Sequence, residues 1–300
     1  MKHHLLRAFI LTAFALLIVY LSRSNQLSLY IAPRMELYVK LSALGLYAAA
    51  IHQLFLALKI RRQQHHHSAE CGCEHAPSPS VFKNTVIYSL FIFPLALGFL
   101  SPAGVLGSTA ASKKGVSFAA STTVQPLGTE PGQLAVSLPE PPASLAPKPL
   151  TLEERFPYDE YTKAHAEYGM KLYQKQKIAV PETTYIETLT TLDLYRDNFM
   201  DKTIDISGFI YKEDDMGEQR FAVSRFAMTC CSADAVPYGL MVQVSHADDY
   251  KDFAPDDWVS VSGKLMTSMY NGNEILTLKL NTIKRIEAPE SPYVYANFDF

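Results

Sequence analysis

Three stretches in the first hundred residues are apolar over lengths that suit a bilayer better than a water-soluble core. The first, Leu5 to Leu21, reads LLRAFILTAFALLIVYL and is broken only by Arg7 and Thr12. That is just enough helix to cross about 30 Å of hydrocarbon. A cleaved signal peptide is the competing reading, but Val19-Tyr20-Leu21 offers no small-residue cleavage pattern, so a retained span is expected. The second runs from about Leu37 to Ile60, with Lys40 near its edge and His52 and Gln53 as its polar interruption; His52 either marks a pathway through the membrane or is a neutral histidine bonded to a neighbouring helix. The third begins near Thr85 and ends near Leu100, with Pro94 and Gly98 inside it.

The pattern then changes twice. Residues 101–150 are rich in Pro, Ser, Ala, Gly and Thr and lack apolar periodicity, so a flexible tether is expected. From about 151 to 200 a Tyr-, Lys- and Glu-rich stretch predicts a helical lead-in. Beyond it, alternation of apolar and polar positions predicts strands at 203–213, 220–228, 238–244, 258–268 and 274–286. Gly208 and Gly263 interrupt strong alternation, as expected where strands bend around a small barrel. Asn271-Gly272-Asn273 predicts a tight hairpin between the last two strands. Five short strands with bent first and fourth members point to an OB-like small barrel, with a sandwich as the alternative. The expected organisation is a membrane anchor of about three helices at 1–106 with a His/Cys-rich loop at 61–83, a linker at 107–150, the helical lead-in at 151–200, a β-barrel domain at 201–290 and a tail at 291–300. The fold class is therefore membrane-anchored: N-terminal transmembrane α-helices followed by a mainly-β domain.

Charge sharpens this division. Residues 1–150 carry 12 Lys and Arg against 5 Asp and Glu, whereas residues 151–300 carry 15 against 25. A second half at -10 repels phosphate backbones, so no nucleic-acid partner is expected. Lys2, Arg7, Lys59, Arg61, Arg62 and Lys83 would share one side of the membrane, against Arg23 and Arg34 on the other. The positive-inside rule then predicts a multi-pass cell-membrane protein with a cytoplasmic N-terminus and His-rich loop and an extracytoplasmic C-terminal domain. Lys113 and Lys114 argue mildly against that orientation.

Two segments carry candidate chemistry. HHHSAECGCEH at 65–75 concentrates His65, His66, His67, Cys71, Cys73 and His75 in one loop, donors that suit zinc, copper(I) or nickel. Its spacing matches no structured zinc finger, so buffering or delivery is the expected role, against a merely solvated polar loop. In RFAMTCCSADAVPYG at 225–239, Cys230 and Cys231 are adjacent, with Asp234 close behind. Adjacent cysteines rarely close a disulfide, because the small ring strains the intervening peptide. They either bind a soft metal with Asp234 or His246, or they serve simply as small packed side chains. Asp248, Asp249, Asp252, Asp256 and Asp257 form an acidic loop expected to be a solvated face, since the spacing of a calcium-binding loop is missing. No phosphate-binding loop, nucleophile elbow or metalloprotease helix is present, so no enzymatic activity is expected.

The order of these parts, with ISGFIY at 206–211, RFAMTCCSADAVPYG at 225–239 and WVSVSGKL at 258–265, resembles the YcgQ-type family of permease subunits. The specific part is the string Cys230, Cys231, Asp234, Ala235, Pro237 and Gly239. The resemblance implies a polytopic permease as partner, beside the lipid bilayer itself. The expected function is then an accessory subunit that binds or delivers zinc or another transition metal. The alternatives are an extracytoplasmic thiol redox protein using Cys230 and Cys231, or a module that only docks a permease.

Overall fold

The computed structural model describes residues 2–63, 81–100, 104–118 and 151–300. The chain divides into two compact units, one of residues 1–105 with 230–233, the other of residues 106–229 with 234–300.

The first unit contains three long helices, α1 (Lys2–Arg23), α2 (Pro33–Gln63) and α3 (Val81–Leu100). Each is long and apolar enough to cross a membrane. Their apolar side chains face outward, with Leu41, Leu44 and Phe55 of α2 and Leu90, Phe93 and Leu100 of α3 all exposed. This is the arrangement lipid solvent favours and water forbids. What α1 and α2 bury is mostly alanine. Ala8 and Ala15 on α1 and Ala43, Ala50 and Ala57 on α2 recur at seven-residue spacing and are nearly inaccessible. Lipid tails are as apolar as leucine, so helices in a bilayer cohere through close backbone approach, which small residues permit. Polar contacts reinforce the bundle: His4 Nδ1 lies 2.8 Å from Gln53 Oε1, and His3 Nδ1 lies 3.0 Å from the Tyr88 hydroxyl. Gln53 therefore takes the interhelical bond, while His52 is exposed. Pro94 is accommodated inside a continuous α3.

The second unit is mainly β. Its strands are β1 (Lys177–Ala179), β2 (Thr203–Tyr211), β3 (Arg220–Ala227), β4 (Val236–Gln243), β5 (Trp258–Tyr270), β6 (Asn273–Arg285) and β7 (Tyr293–Val294). Its helices are α4 (Ser108–Lys114), α5 (Leu152–Arg155), α6 (Lys163–Tyr173), α7 (Tyr185–Leu194) and α8 (Arg196–Phe199). The sheet runs β1-β2-β5-β6-β4-β3-β7, with a further pairing of β2 to β3. Strands β2, β5, β6, β4 and β3 are thus joined successively, and the last meets the first. All these pairings are antiparallel except β4 with β6. Alternate residues point inward, among them Ile204 and Ile206, Phe221 and Val223, Leu240 and Val242, Val259 and Val261, and Leu276 and Leu278. Leu172 of α6, Leu189 and Leu192 of α7 and Phe199 of α8 belong to the same core.

Five strands begin and end within two residues of their predicted limits, because period-two alternation is strong in each. The β5–β6 hairpin turns on Asn271 and Gly272, both at positive φ, as a two-residue turn between right-twisted strands requires. The register of β5 against β6 slips at Ser262/Gly263, a bulge at the predicted bend. Strands β1 and β7 were not predicted, being three and two residues long.

Residues 104–118 lie within the stretch expected as tether. Asp256 accepts from the Ser108 hydroxyl at 2.7 Å, Lys114 Nζ donates to Ala235 O at 2.6 Å, and Ser117 N donates to Pro237 O at 3.0 Å. The acidic loop is accordingly occupied with local partners: Asp256 holds the start of α4, and Asp257 pairs with Arg285 at 2.9 Å.

Gly208 and Gly239 approach the backbone of β3 from its two sides. A Cβ at Gly208 would strike the Ser224 carbonyl, and one at Gly239 the Val223 carbonyl. Replacing Gly239 by Ala must push β3 and β4 apart, at a cost of about 1–3 kcal/mol. Thermal unfolding of the full-length protein in detergent, followed by circular dichroism in the β region, should show the loss, and an unchanged midpoint would contradict the close approach.

Candidate functional site

Strand β3 ends at Ala227 and β4 begins at Val236, so the register of their eight paired residues fixes where the chain between them must turn. Asp234 closes that turn by accepting from Thr229 N at 2.9 Å. Cys230 and Cys231 sit in the turn, the first exposed and the second half-buried. Their sulfurs are 3.7 Å apart. Both sulfurs and a carboxylate oxygen of half-buried Asp234 fall within 4.8 Å of one another. Among the described residues this is the one group of three or more His, Cys, Asp or Glu side chains able to converge on an ion.

The sulfur spacing has a chemical meaning. Zinc–thiolate bonds of about 2.3 Å at tetrahedral angles place two sulfurs roughly 3.8 Å apart, close to the distance here. A disulfide would require about 2.05 Å. The donor set therefore fits a borderline-soft ion held by two thiolates and one carboxylate, with a further coordination position left to water or another donor. His246, a candidate fourth ligand, is outside this group. Its backbone N–H instead donates to the Asp249 carboxylate at 3.0 Å at the start of a short turn. His65, His66, His67, Cys71, Cys73 and His75 lie outside the described residues.

The turn's backbone is engaged as well as its side chains. Within the first unit, Ala32 N donates to Cys230 O at 3.0 Å, and Ser232 N donates to Tyr30 O at 2.8 Å. Ile31 and Cys231 thereby form an antiparallel bridge.

Comparison with known proteins matches residues 6–117 to the DUF1980 N-terminal domain and residues 155–296 to the DUF1980 C-terminal domain. The chain is 28% identical over 304 residues to the UPF0703 protein YcgQ of Bacillus subtilis, covering 97% of this chain and 99% of that one. It is 27% identical over 297 residues to a Streptococcus mutans protein described as a candidate two-component membrane permease complex subunit, covering 98% and 100%. The chain belongs to the YcgQ-type, DUF1980 family. The two matched domains of this DUF1980 protein fall on either side of residues 118–154, and the second contains the whole Cys-Cys turn.

A second polar cluster in this DUF1980 chain escaped the sequence reading. Arg225 is fully buried. Its Nη2 donates to Ser291 O at 2.7 Å, its Nη1 lies 2.8 Å from the Glu182 carboxylate, and its guanidinium carbon sits 5.3 Å from the centre of the Trp258 ring. Tyr185 of α7 is buried nearby. Burial pushes its phenol up, and the positive charge of Arg225 partly offsets the effect. Tyr238 is pushed up to about 12, chiefly by burial, while its hydroxyl shares a 3.1 Å contact with Thr190. Glu187 is also buried and accepts from Asn297 N at 2.7 Å. Burial raises its pKa above 4.5 despite that bond. The available signal was Arg225 itself, which continues the inward alternation of Phe221 and Val223.

The raised Glu187 pKa fixes a sign. The folded state binds the Glu187 proton more tightly than the unfolded chain, so this contribution to stability is present below the ordinary carboxyl pKa and is lost as pH rises through the folded value. Glu187→Gln keeps an oxygen for Asn297 N and removes the charge. Its melting temperature should gain on the wild type as pH rises above 4.5. A difference that stays flat with pH would show that Glu187 does not titrate in this way.

Proposed function

We propose that this protein is the membrane-anchored accessory subunit of a two-component permease, and that its Cys230–Cys231–Asp234 turn binds a transition metal ion, zinc being the best fit. The observation that carries the metal assignment is the pair of sulfurs 3.7 Å apart beside a carboxylate. The Streptococcus mutans relative, described as a subunit of such a complex over its whole length, supports the accessory role. The ring of strands β2-β5-β6-β4-β3, with its single parallel pair, is read as an OB-like barrel that presents the β3–β4 turn at one end.

The proposed topology puts the N-terminus and the His/Cys-rich stretch within 61–83 in the cytoplasm and the C-terminal domain outside. Two features support it. The charge bias of the short loops follows the positive-inside rule. The Cys-Cys turn also pairs with Tyr30–Ala32, between the first two spans, so these two segments share one side of the bilayer, opposite the far end of α2.

Purified full-length protein loaded with zinc and freed of excess ion should retain about one ion at this turn, as a site of two thiolates and a carboxylate implies. The double variant Cys230→Ser/Cys231→Ser should lose that ion, as read by elemental analysis. Retention of all zinc by the variant would remove the turn from the proposal. Replacing His65, His66, His67, Cys71, Cys73 and His75 in a separate variant measures any loop contribution independently.

Reporter fusions after residues 64 and 150 should give opposite compartment signals, and identical signals would overturn the topology. Affinity capture from native membranes should bring down a polytopic permease. Recovery of the chain alone would count against the accessory role, whereas equal capture by the cysteine variant would leave docking as the turn-independent function.

A further inference from the structure

The backbone of the Cys-Cys turn is bonded to a short segment that leads into a candidate membrane span. Cys230 O accepts from Ala32 N, Ser232 N donates to Tyr30 O, and Ile31 bridges Cys231. Ala32 is 1% exposed. Its own carbonyl accepts from Met35 N at 2.8 Å, within the first turn of α2. Pro33 then occupies the first helical position, where its fixed φ suits a helix start and its missing N–H is no loss. Ala32, the residue before this proline, is biased away from helical backbone and toward extended backbone, next to the Ile31–Cys231 bridge. Ile31-Ala32-Pro33 thus carries an isolated bridge on one side and a helix start on the other. Ala32 uses its N–H for the thiol turn and its C=O for the span.

We propose that Tyr30–Ala32 is the positioning element of the dithiol site, and that loading of Cys230 and Cys231 with a divalent soft-to-borderline ion is thereby coupled to the start of α2. This rests on the metal reading given above. Binding releases the thiol protons to solvent and fixes two adjacent side chains of one turn. The peptide groups of those residues are the ones bonded to Tyr30 and Ala32, so ordering the thiolates orders the bridge. Conversely, a bridge already in place holds the two sulfurs at a spacing an ion can use, and its loss leaves the ion to organise the turn itself. Partners one bond removed from a metal's ligands commonly change affinity by about 10–100-fold when deleted.

The test uses full-length protein in detergent or nanodiscs under reducing conditions, with Zn²⁺ as the probe and Cd²⁺ for its thiolate charge-transfer absorption. Ala32→Pro deletes the N–H that Cys230 O receives while keeping extended backbone. Its zinc affinity should fall about tenfold, with the thiolate band of bound Cd²⁺ retained at saturation. Hydrogen exchange on the wild-type protein gives a reading that needs no variant. Zinc should slow exchange in peptides covering 24–35 as well as those covering 229–235, and Cys230→Ser/Cys231→Ser should abolish both effects. Protection confined to 229–235, or an Ala32→Pro affinity within twofold of wild type, would overturn the coupling while leaving the metal site standing. Absence of zinc binding by the wild type would instead remove the site, and the coupling with it.

Discussion

Strand β2 joins β5 along one edge and β1 and then β3 along the other, and the β-rich unit depends on its doing so. Its residues from Thr203 to Phe209 pair with β5, and those from Phe209 to Tyr211 pair with β3. The change of partner takes place beside Gly208, where any side chain would collide with the Ser224 carbonyl. Without the β2–β3 pairing the sheet would stay open, with the two short strands β1 and β7 at its ends, and an edge presents unpaired backbone groups that invite aggregation. With it, β3 is held from both sides, its long register with β4 is fixed, and the turn bearing two cysteines can emerge at one place only.

The sequence revealed most of this where the physical signal is periodic. Alternation located five strands, hydrophobic length located three spans, and Asn271-Gly272 located a hairpin. What it concealed follows a pattern too. Arg225 carries a full charge and so reads as a surface residue, yet it completes an inward row and is sheltered by Glu182, Ser291 and Trp258. Alanines at 43, 50 and 57 carry no strong signal of either kind, although they form the contact face of α2. Strands of two or three residues are too short for any period to register. The two cysteines and Asp234 were legible as a group because they are neighbours in sequence. The segment that holds their backbone, two hundred residues earlier, carries no metal-ligating side chain to link it to them.

The buried polar cluster and the thiol turn illustrate two uses of the same strand. Arg225 lies five residues before Cys230, and its guanidinium is fixed by a carbonyl, a carboxylate and an aromatic face. Such a charge is costly to bury and is tolerated only where partners are supplied. Its effect is to tie β3 to the turn at Glu182 and to the segment at Ser291, so the strand leading into the cysteines has little freedom to shift. The cysteine turn, by contrast, leaves Cys230 exposed and Cys231 half-buried.

Helix α2 is longer than its two companions, with 31 residues against 22 in α1 and 20 in α3. At 1.5 Å per residue it measures about 46 Å, some 15 Å more than the hydrocarbon of an ordinary bilayer. Such a rod must lean over or stand proud of the lipid, and thinner or thicker membranes would change how far. Bilayer thickness would thereby set the tilt of the helix whose first turn is hydrogen-bonded to Ala32, the residue that also donates to the Cys230 carbonyl.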